Sequence, residues 1–150
     1  MYSPKLVTWR SQYDRMERGY TRLIEPYQSS TNYEDDIQHY FQDCWHLKDW
    51  IVNDTHLSLN AVGVESEINN HRALRIVADL ANGCKHLNRH THREGAYVTS
   101  SNVTVHLGQN KPADIDYIIT LDDGSSLSEK DLVKETFDAW QLVLKKINLL

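Results

Sequence analysis

The sequence lacks the features that mark several large classes of protein. Its 150 residues contain 2 cysteines, Cys44 and Cys84, so a disulfide framework is not expected to hold the chain together. No stretch approaches the roughly 18 consecutive apolar residues of a transmembrane helix, and residues 1–10 lack the apolar core of a signal peptide. These absences predict a soluble cytoplasmic protein that does not enter a membrane.

Glycine is also scarce, with 6 residues spread along the chain. A P-loop, a dinucleotide-binding fingerprint and a nucleophile elbow all need glycines at fixed spacing, and none of these motifs occurs. The net charge of −5 argues against general coating of nucleic acid. Composition therefore points away from nucleotide-binding and serine-hydrolase patterns, and we expect no bound cofactor.

Apolar residues recur at helical spacing in four long segments. The second segment begins with three acids, which favour a helix start because the helix dipole attracts negative charge there. The last has Ser128 as its N-cap and Asp131 at the third position. The predicted helices cover residues 4–25, 33–53, 71 to about 87 and 129 onward, with a short helical turn at 64–70. The predicted core face of the second helix consists of Tyr33, Ile37, Tyr40, Phe41, Cys44, Leu47 and Ile51.

The apolar period changes to two before the last helix, which is typical of strands. The turn sequence Asp123-Gly124 predicts a two-residue type I′ hairpin, with residues 125–127 pairing back. We therefore predict a mainly helical single domain over 1–150, a four-helix bundle with a small antiparallel β-meander inserted at about 97–127. The alternating apolar residues are Val103, Val105 and Leu107, then Ile115, Tyr117, Ile119 and Leu121.

The segment from His71 to Arg93 is the most basic part of an acidic chain. It holds five Lys or Arg residues and one acid, a net +4, and hence the rest of the chain carries −9. A column of polar side chains, named here the polar column, runs beside its apolar face and consists of Arg72, Arg75, Asp79, Asn82, His86 and His90. This distribution predicts either a solvated basic surface balanced by acidic neighbours or a local site for an anion such as phosphate. The cationic candidates for anion or RNA binding are Arg72, Arg75, Lys85, Arg89, His90 and Arg93.

Three residues of the same helix are candidates for chemistry. Asp79, Asn82 and His86 follow one another along one side of the predicted helix. Such a column can fix a histidine tautomer for proton transfer, or it can satisfy buried polar groups between helices. His86 and His90, four residues apart, could also hold zinc, although no matching Cys/His pair is present.

The motif formed by Asn82 and His86 resembles that of the HEPN-like superfamily of small bacterial helical bundles. In that superfamily an Arg precedes the polar residue, and here Ala81 stands in its place. The segments YFQDCWHLKDWIVND and RIVADLANGCKHL are also similar to those of a group of uncharacterised bacterial proteins of similar length. The resemblance implies a homodimer, a toxin–antitoxin or phage-defence setting, and metal-independent RNA cleavage at the dimer interface with proton transfer by the histidine.

Three functions follow from these observations. The leading prediction is a HEPN-like bundle that acts by binding protein or RNA. The second is an endoribonuclease that uses His86, with a cation such as Lys85 or Arg89 holding the phosphate in place of the missing Arg. The third is a bundle that binds a small ligand or a metal. The sequence leaves open whether the protein is an enzyme.

Overall fold

The structure, a computed structural model, describes residues 7–25, 32–85, 93–110 and 114–150, with the backbone alone at residues 84 and 85. In these ranges the chain is mainly helical, with a small three-stranded antiparallel sheet before the last helix, as the sequence predicts. In chain order the elements are α1 (Trp9–Ile24), α2 (Tyr33–Asn53), α3 (Ala61–Asn69), α4 (Arg72–Lys85), β1 (Tyr97–Thr104), β2 (Asp114–Thr120), β3 (Ser126–Ser128) and α5 (Glu129–Lys146).

Helix α1 begins at Trp9, so the predicted start at residue 4 is wrong. Thr8 has extended backbone, and the Trp9 amide donates to the Asp54 carboxylate at 3.0 Å. Because Asp54 is the residue that ends α2, a neighbouring helix supplies the acceptor for one of the free amides at the start of α1. A tertiary contact thus accompanies this boundary, which the local apolar spacing did not reveal.

Helix α2 begins at Tyr33 and ends at Asn53, as the sequence predicts. Three acids occupy its first turn, where the helix dipole favours them. All seven residues of its predicted core face are buried. Strict helical spacing was therefore enough to locate this helix and to identify its packed side.

Helices α3 and α4 follow in close succession. Helix α3 has nine residues and begins earlier than the predicted turn at 64–70, because Asn60 caps it by accepting from the Val62 amide at 3.0 Å. Helix α4 is described from Arg72 to Lys85, and its predicted end near Leu87 lies outside the described ranges. Its buried apolar residues are Ala73, Leu74, Ile76, Val77, Ala78 and Ala81.

The sheet has the order β1-β2-β3, with antiparallel pairing throughout. Ile119 pairs with Val98, and Ile115 pairs with Val103, so these four residues share one face of the sheet. Ile119 is fully buried, whereas every residue of β1 is exposed. The predicted strand positions were partly wrong, because β1 begins at Tyr97, before the alternating residues, and Val105, Leu107 and Leu121 lie outside the strands.

The turn between β2 and β3 is longer than the predicted type I′ turn. The Gly124 amide donates to the Leu121 carbonyl at 2.9 Å, and the Leu121 amide donates to the Ser125 carbonyl at 3.0 Å. Gly124 has φ +81°, but Asp123 does not have positive φ, which a type I′ turn needs at both central residues. The loop therefore has three residues and is closed by a left-handed glycine.

Helix α5 begins after Ser128, as predicted, although the Ser128 hydroxyl donates to Asp116 and makes no capping hydrogen bond. Helices α1, α2, α4 and α5 pack in a ring, each against the next and α5 back against α1, and β2 packs on α5. Trp140 and Leu144 are fully buried between them. Of the described helices, none has both the length and the apolar character that crossing a membrane requires.

Candidate functional site

Asp79 is a buried acid of α4, with 2 % of its surface exposed. Its carboxylate accepts hydrogen bonds from backbone amides of the segment that leads into the sheet: Glu94 at 2.7 Å, Gly95 at 2.8 Å and Arg93 at 3.0 Å. Buried amides need acceptors, and a carboxylate that receives several of them fixes the segment in place. This geometry supports the structural alternative for Asp79 rather than the catalytic one.

A left-handed glycine belongs to the same arrangement. Gly95 has φ +63°, and a Cβ added to it would lie 2.0 Å from the carboxyl carbon of Asp122. The Asp122 amide in turn donates to the Glu94 carbonyl at 3.0 Å. Residues 93–96 and the turn after β2 are therefore joined to α4 through Asp79, and position 95 requires glycine.

Two of the arginines predicted to bind anions contact acids of the same chain. The Arg75 Nε lies 2.7 Å from the Glu94 carboxylate, and an Arg72 guanidinium nitrogen lies 2.7 Å from the Asp123 carboxylate. Arg72 also approaches Glu94 at 3.6 Å. Because Glu94 precedes β1 and Asp123 follows β2, these pairs link the sheet to α4. Their positive charge is compensated locally, which weakens the attraction that this surface offers to phosphate.

Arg93 is engaged differently. Its guanidinium carbon lies 4.5 Å from the centre of a Trp45 ring, and one of its nitrogens lies 3.8 Å from the Glu65 carboxylate. The Lys48 ammonium lies 4.4 Å from the same indole side chain. Two cations therefore contact one aromatic side chain, which favours them through the negative face of its π-system.

The remaining candidates on and beside the polar column are described only in part. Asn82 is half-buried on α4, whereas His86, Arg89 and His90 lie outside the described residues, as does the Lys85 side chain. Proton transfer by His86 and zinc binding at His86 and His90 stay predictions. Among the described residues, no group of three or more His, Cys, Asp or Glu side chains is arranged to hold a metal ion.

A feature that the sequence reasoning missed lies in the first turn of α5. Glu129 is 3 % exposed, and its Oε2 has no hydrogen-bond partner among the described residues. Burial, with smaller contributions from the negative charges of Asp116 and Glu34, raises the pKa of Glu129 to about 8. The side chain lines a pocket of about 280 Å³, named here the Glu129 pocket. Its other walls are Glu34, Ile37, Gln38 and Phe41 of α2, Leu80 of α4, Val98 of β1 and Tyr117 of β2.

The surroundings of Glu129 are ordered by polar and aromatic contacts. The Ser128 hydroxyl donates to the Asp116 carboxylate at 2.8 Å, which brings this acid of β2 to the start of α5. The rings of Tyr33 and Tyr117 stack with their centres 6.2 Å apart. Burial raises the pKa of both tyrosines, so each stays a neutral phenol near neutral pH.

A sequence signal for Glu129 was present in the helical spacing. Leu132, Val133 and Thr136 follow it at 3, 4 and 7 residues, and all three are buried. Glu129 therefore lies on the packed face of α5. An acid in a first turn is usually explained by the helix dipole and by solvent, and that explanation obscured its place on this face.

Strand β1 forms a second exposed feature. It is an edge strand of the sheet, and no described strand pairs with its outer side. Residues 97–105 contain no charged residue and no proline, and they are named here the β1 edge. Val103 and Val105 are 58 % and 64 % exposed. The edge therefore combines free backbone groups with apolar side chains.

No model of a known protein family, no curated protein and no solved structure matches this chain. The HEPN-like relationship therefore stays a prediction that rests on Asn82, His86 and the two quoted segments. Function is best argued from the Glu129 pocket, the β1 edge and the compensated arginines of α4.

Proposed function

We propose that this protein acts by binding protein, and that it pairs with a second copy of itself along β1. The observation that carries the proposal is the β1 edge, in which all eight strand residues are exposed and no described strand covers the outer side. Unpaired strand edges present amide and carbonyl groups that another strand can bind. A strand laid along β1 would satisfy those groups and extend the sheet.

The devices that normally prevent such pairing are scarce along the β1 edge. Natural edge strands are often protected by lysine, by inward-pointing charge or by proline, and residues 97–105 contain none of these. The pairing with β2 has one irregularity, between Val98 and Ser100, and is regular from Ser100 to Thr104. That regular, uncharged run supports the use of this edge for pairing.

A second copy suits this edge better than a charged partner strand. Pairing about a two-fold axis places the same uncharged strand on both sides, so neither copy buries an unpaired charge. Val103 shares its face with Ile115, which gives each copy an apolar side chain to bury beside the new strand. The HEPN-like resemblance also implies a homodimer in a toxin–antitoxin or phage-defence system, but one with His86 at its interface, so it supports a second copy as the partner and not the choice of β1.

The contacts of α4 favour protein binding over RNA binding. Arg72 and Arg75 contact Glu94 and Asp123, and their charge is therefore not available in full to a polyanion. RNA cleavage by His86 stays a prediction of the resemblance, because His86 lies outside the described residues.

Sedimentation analysis of Val103→Lys tests the proposed pairing. We expect the wild-type chain to be dimeric at about 10 µM and the variant to be monomeric, because a lysine on an edge strand opposes pairing. Val62→Lys is the matched control, because Val62 is 75 % exposed and lies on α3, which is not part of the sheet. Circular dichroism establishes that both variants fold.

Three outcomes would overturn the proposal. The first is a wild-type chain that stays monomeric at about 100 µM. The second is a folded Val103→Lys variant that remains a dimer. The third is equal loss of pairing in Val103→Lys and Val62→Lys, which would place the interface elsewhere.

A further inference from the structure

The Glu129 pocket has the composition of a binding site for a small organic cation. Apolar side chains from three elements, Ile37, Leu80 and Val98, form part of its wall. Two carboxyl groups, Glu34 and Glu129, also line it, and none of its lining residues is Lys or Arg. Ligand sites are typically apolar cavities with a few polar groups that fix orientation.

The unpartnered carboxyl oxygen of Glu129 indicates the kind of ligand that the pocket would bind. Glu129 Oε2 is buried without a hydrogen-bond donor, an arrangement that is costly for a polar atom unless a partner arrives. The acids that face Glu129 are Glu34 from α2 and Asp116 from β2, and Lys130 on its own helix is the nearby cation. The two acids outweigh the one lysine, so a cationic donor is favoured over an anionic one.

We propose that the Glu129 pocket binds a small organic ammonium compound. The ammonium group donates a hydrogen bond to Glu129, and its apolar part packs against Ile37, Leu80 and Val98. Tyr117 adds an aromatic ring of the kind that stabilises organic cations. Val98 belongs both to the β1 edge and to the pocket wall, but Val103, which the pairing test changes, is not a pocket residue, so a failure of the pairing proposal leaves this inference standing.

Binding is coupled to the ionisation of Glu129. Without a bound cation the carboxyl group holds its proton near neutral pH, because burial opposes its charge. An ammonium ion at hydrogen-bond distance reverses this preference, so the proton leaves Glu129 for solvent as the cation enters. Affinity should therefore rise between about pH 6 and pH 8.

Titration calorimetry with benzylammonium tests the proposal, with benzyl alcohol and benzoate as the neutral and anionic analogues. At about pH 8 we expect benzylammonium to bind at least about tenfold more tightly than either analogue. At pH 7 the measured heat should differ between phosphate and MOPS buffers, since a released proton is taken up by the buffer and neither buffer contains a primary ammonium group. Glu129→Gln should weaken benzylammonium binding about tenfold and abolish the proton release.

Two further variants keep the experiment decisive. Glu135→Gln changes an exposed glutamate of the same helix and should leave binding unchanged. Glu34→Gln changes the exposed acid of the pocket wall and should weaken benzylammonium binding about threefold. This variant tests the proposal even if Glu129→Gln fails to fold. The proposal is overturned if benzyl alcohol binds as well as benzylammonium. It is also overturned if no probe binds at about 10 mM, or if Glu34→Gln and Glu135→Gln behave alike.

Discussion

Helix α4 and the start of α5 each contain a buried carboxyl group, Asp79 and Glu129, and the two differ in what surrounds them. Asp79 receives backbone amide donors from residues 93–95, so its charge serves to hold a chain segment. Glu129 is as deeply buried, but its Oε2 has no donor and its nearest charged neighbours include two acids. Burial alone therefore does not define a site, and the supply of donors separates a structural acid from one that can receive a ligand.

The largest effect is expected from removing the satisfied carboxylate. Asp79→Ala leaves several buried amides without an acceptor and should lower the free energy of unfolding by about 3–5 kcal/mol. Urea denaturation measures this loss. Asp138→Ala, at an exposed position of α5, is the control and should change stability by less than about 0.5 kcal/mol. Equal stability of the two variants would show that Asp79 does not anchor residues 93–96.

The second prediction concerns the pH dependence of folding that the burial of Glu129 causes. In the unfolded chain Glu129 has its ordinary pKa of 4.5, and in the folded chain its pKa is about 8. The folded state therefore holds an extra proton between these values, and stability should fall as pH rises, by on the order of 1 kcal/mol per unit, until about pH 8. Glu129→Gln should remove this contribution.

Denaturant titrations at pH 5, 6.5 and 8 measure this pH dependence. Glu135→Gln serves as the matched control, because Glu135 is exposed on the same helix. In Glu135→Gln, stability should fall with rising pH as steeply as in the wild-type protein. If both variants keep this dependence, the burial of Glu129 does not affect the proton balance of folding.

The third and smallest effect sharpens the description of the segment that Asp79 holds. Gly95→Ala and Gly108→Ala both place alanine at positive φ, but only at residue 95 would the new methyl collide, with Asp122. We expect Gly95→Ala to lose about 1–2 kcal/mol more stability than Gly108→Ala. Thermal unfolding of the pair provides the comparison, and equal losses would mean that Asp122 moves aside without cost.

Local pattern was sufficient for much of the helical part. The limits of α2, its buried face and the start of α5 after Ser128 follow from apolar spacing and acids in a first turn, which act within one or two turns of helix. The start of α1 could not be predicted in this way, because Asp54, which accepts from the Trp9 amide, lies at the end of another helix. The turn at Gly124 differed because Asp123 does not adopt the positive φ that a type I′ turn requires.

The candidate site was harder to anticipate than the fold. In the polar column of α4, Asp79 and the arginines contact Glu94 and Asp123. These partners lie 15 or more residues away in sequence. No spacing rule predicts those partners, because loop geometry and sheet packing bring them together. Glu129 was passed over for the opposite reason, since its helix position was correct but its neighbours from α2 and β2 were unknown.

The amino-acid order by itself determined that this chain forms amphipathic helices with a short antiparallel sheet before the last one, because periodicity and capping depend on near neighbours. Only the tertiary structure decided which acid is satisfied and which is not. Hydrogen-bond donors and low-dielectric surroundings come from segments distant in sequence, so the chemistry of Asp79 and Glu129 is set by packing.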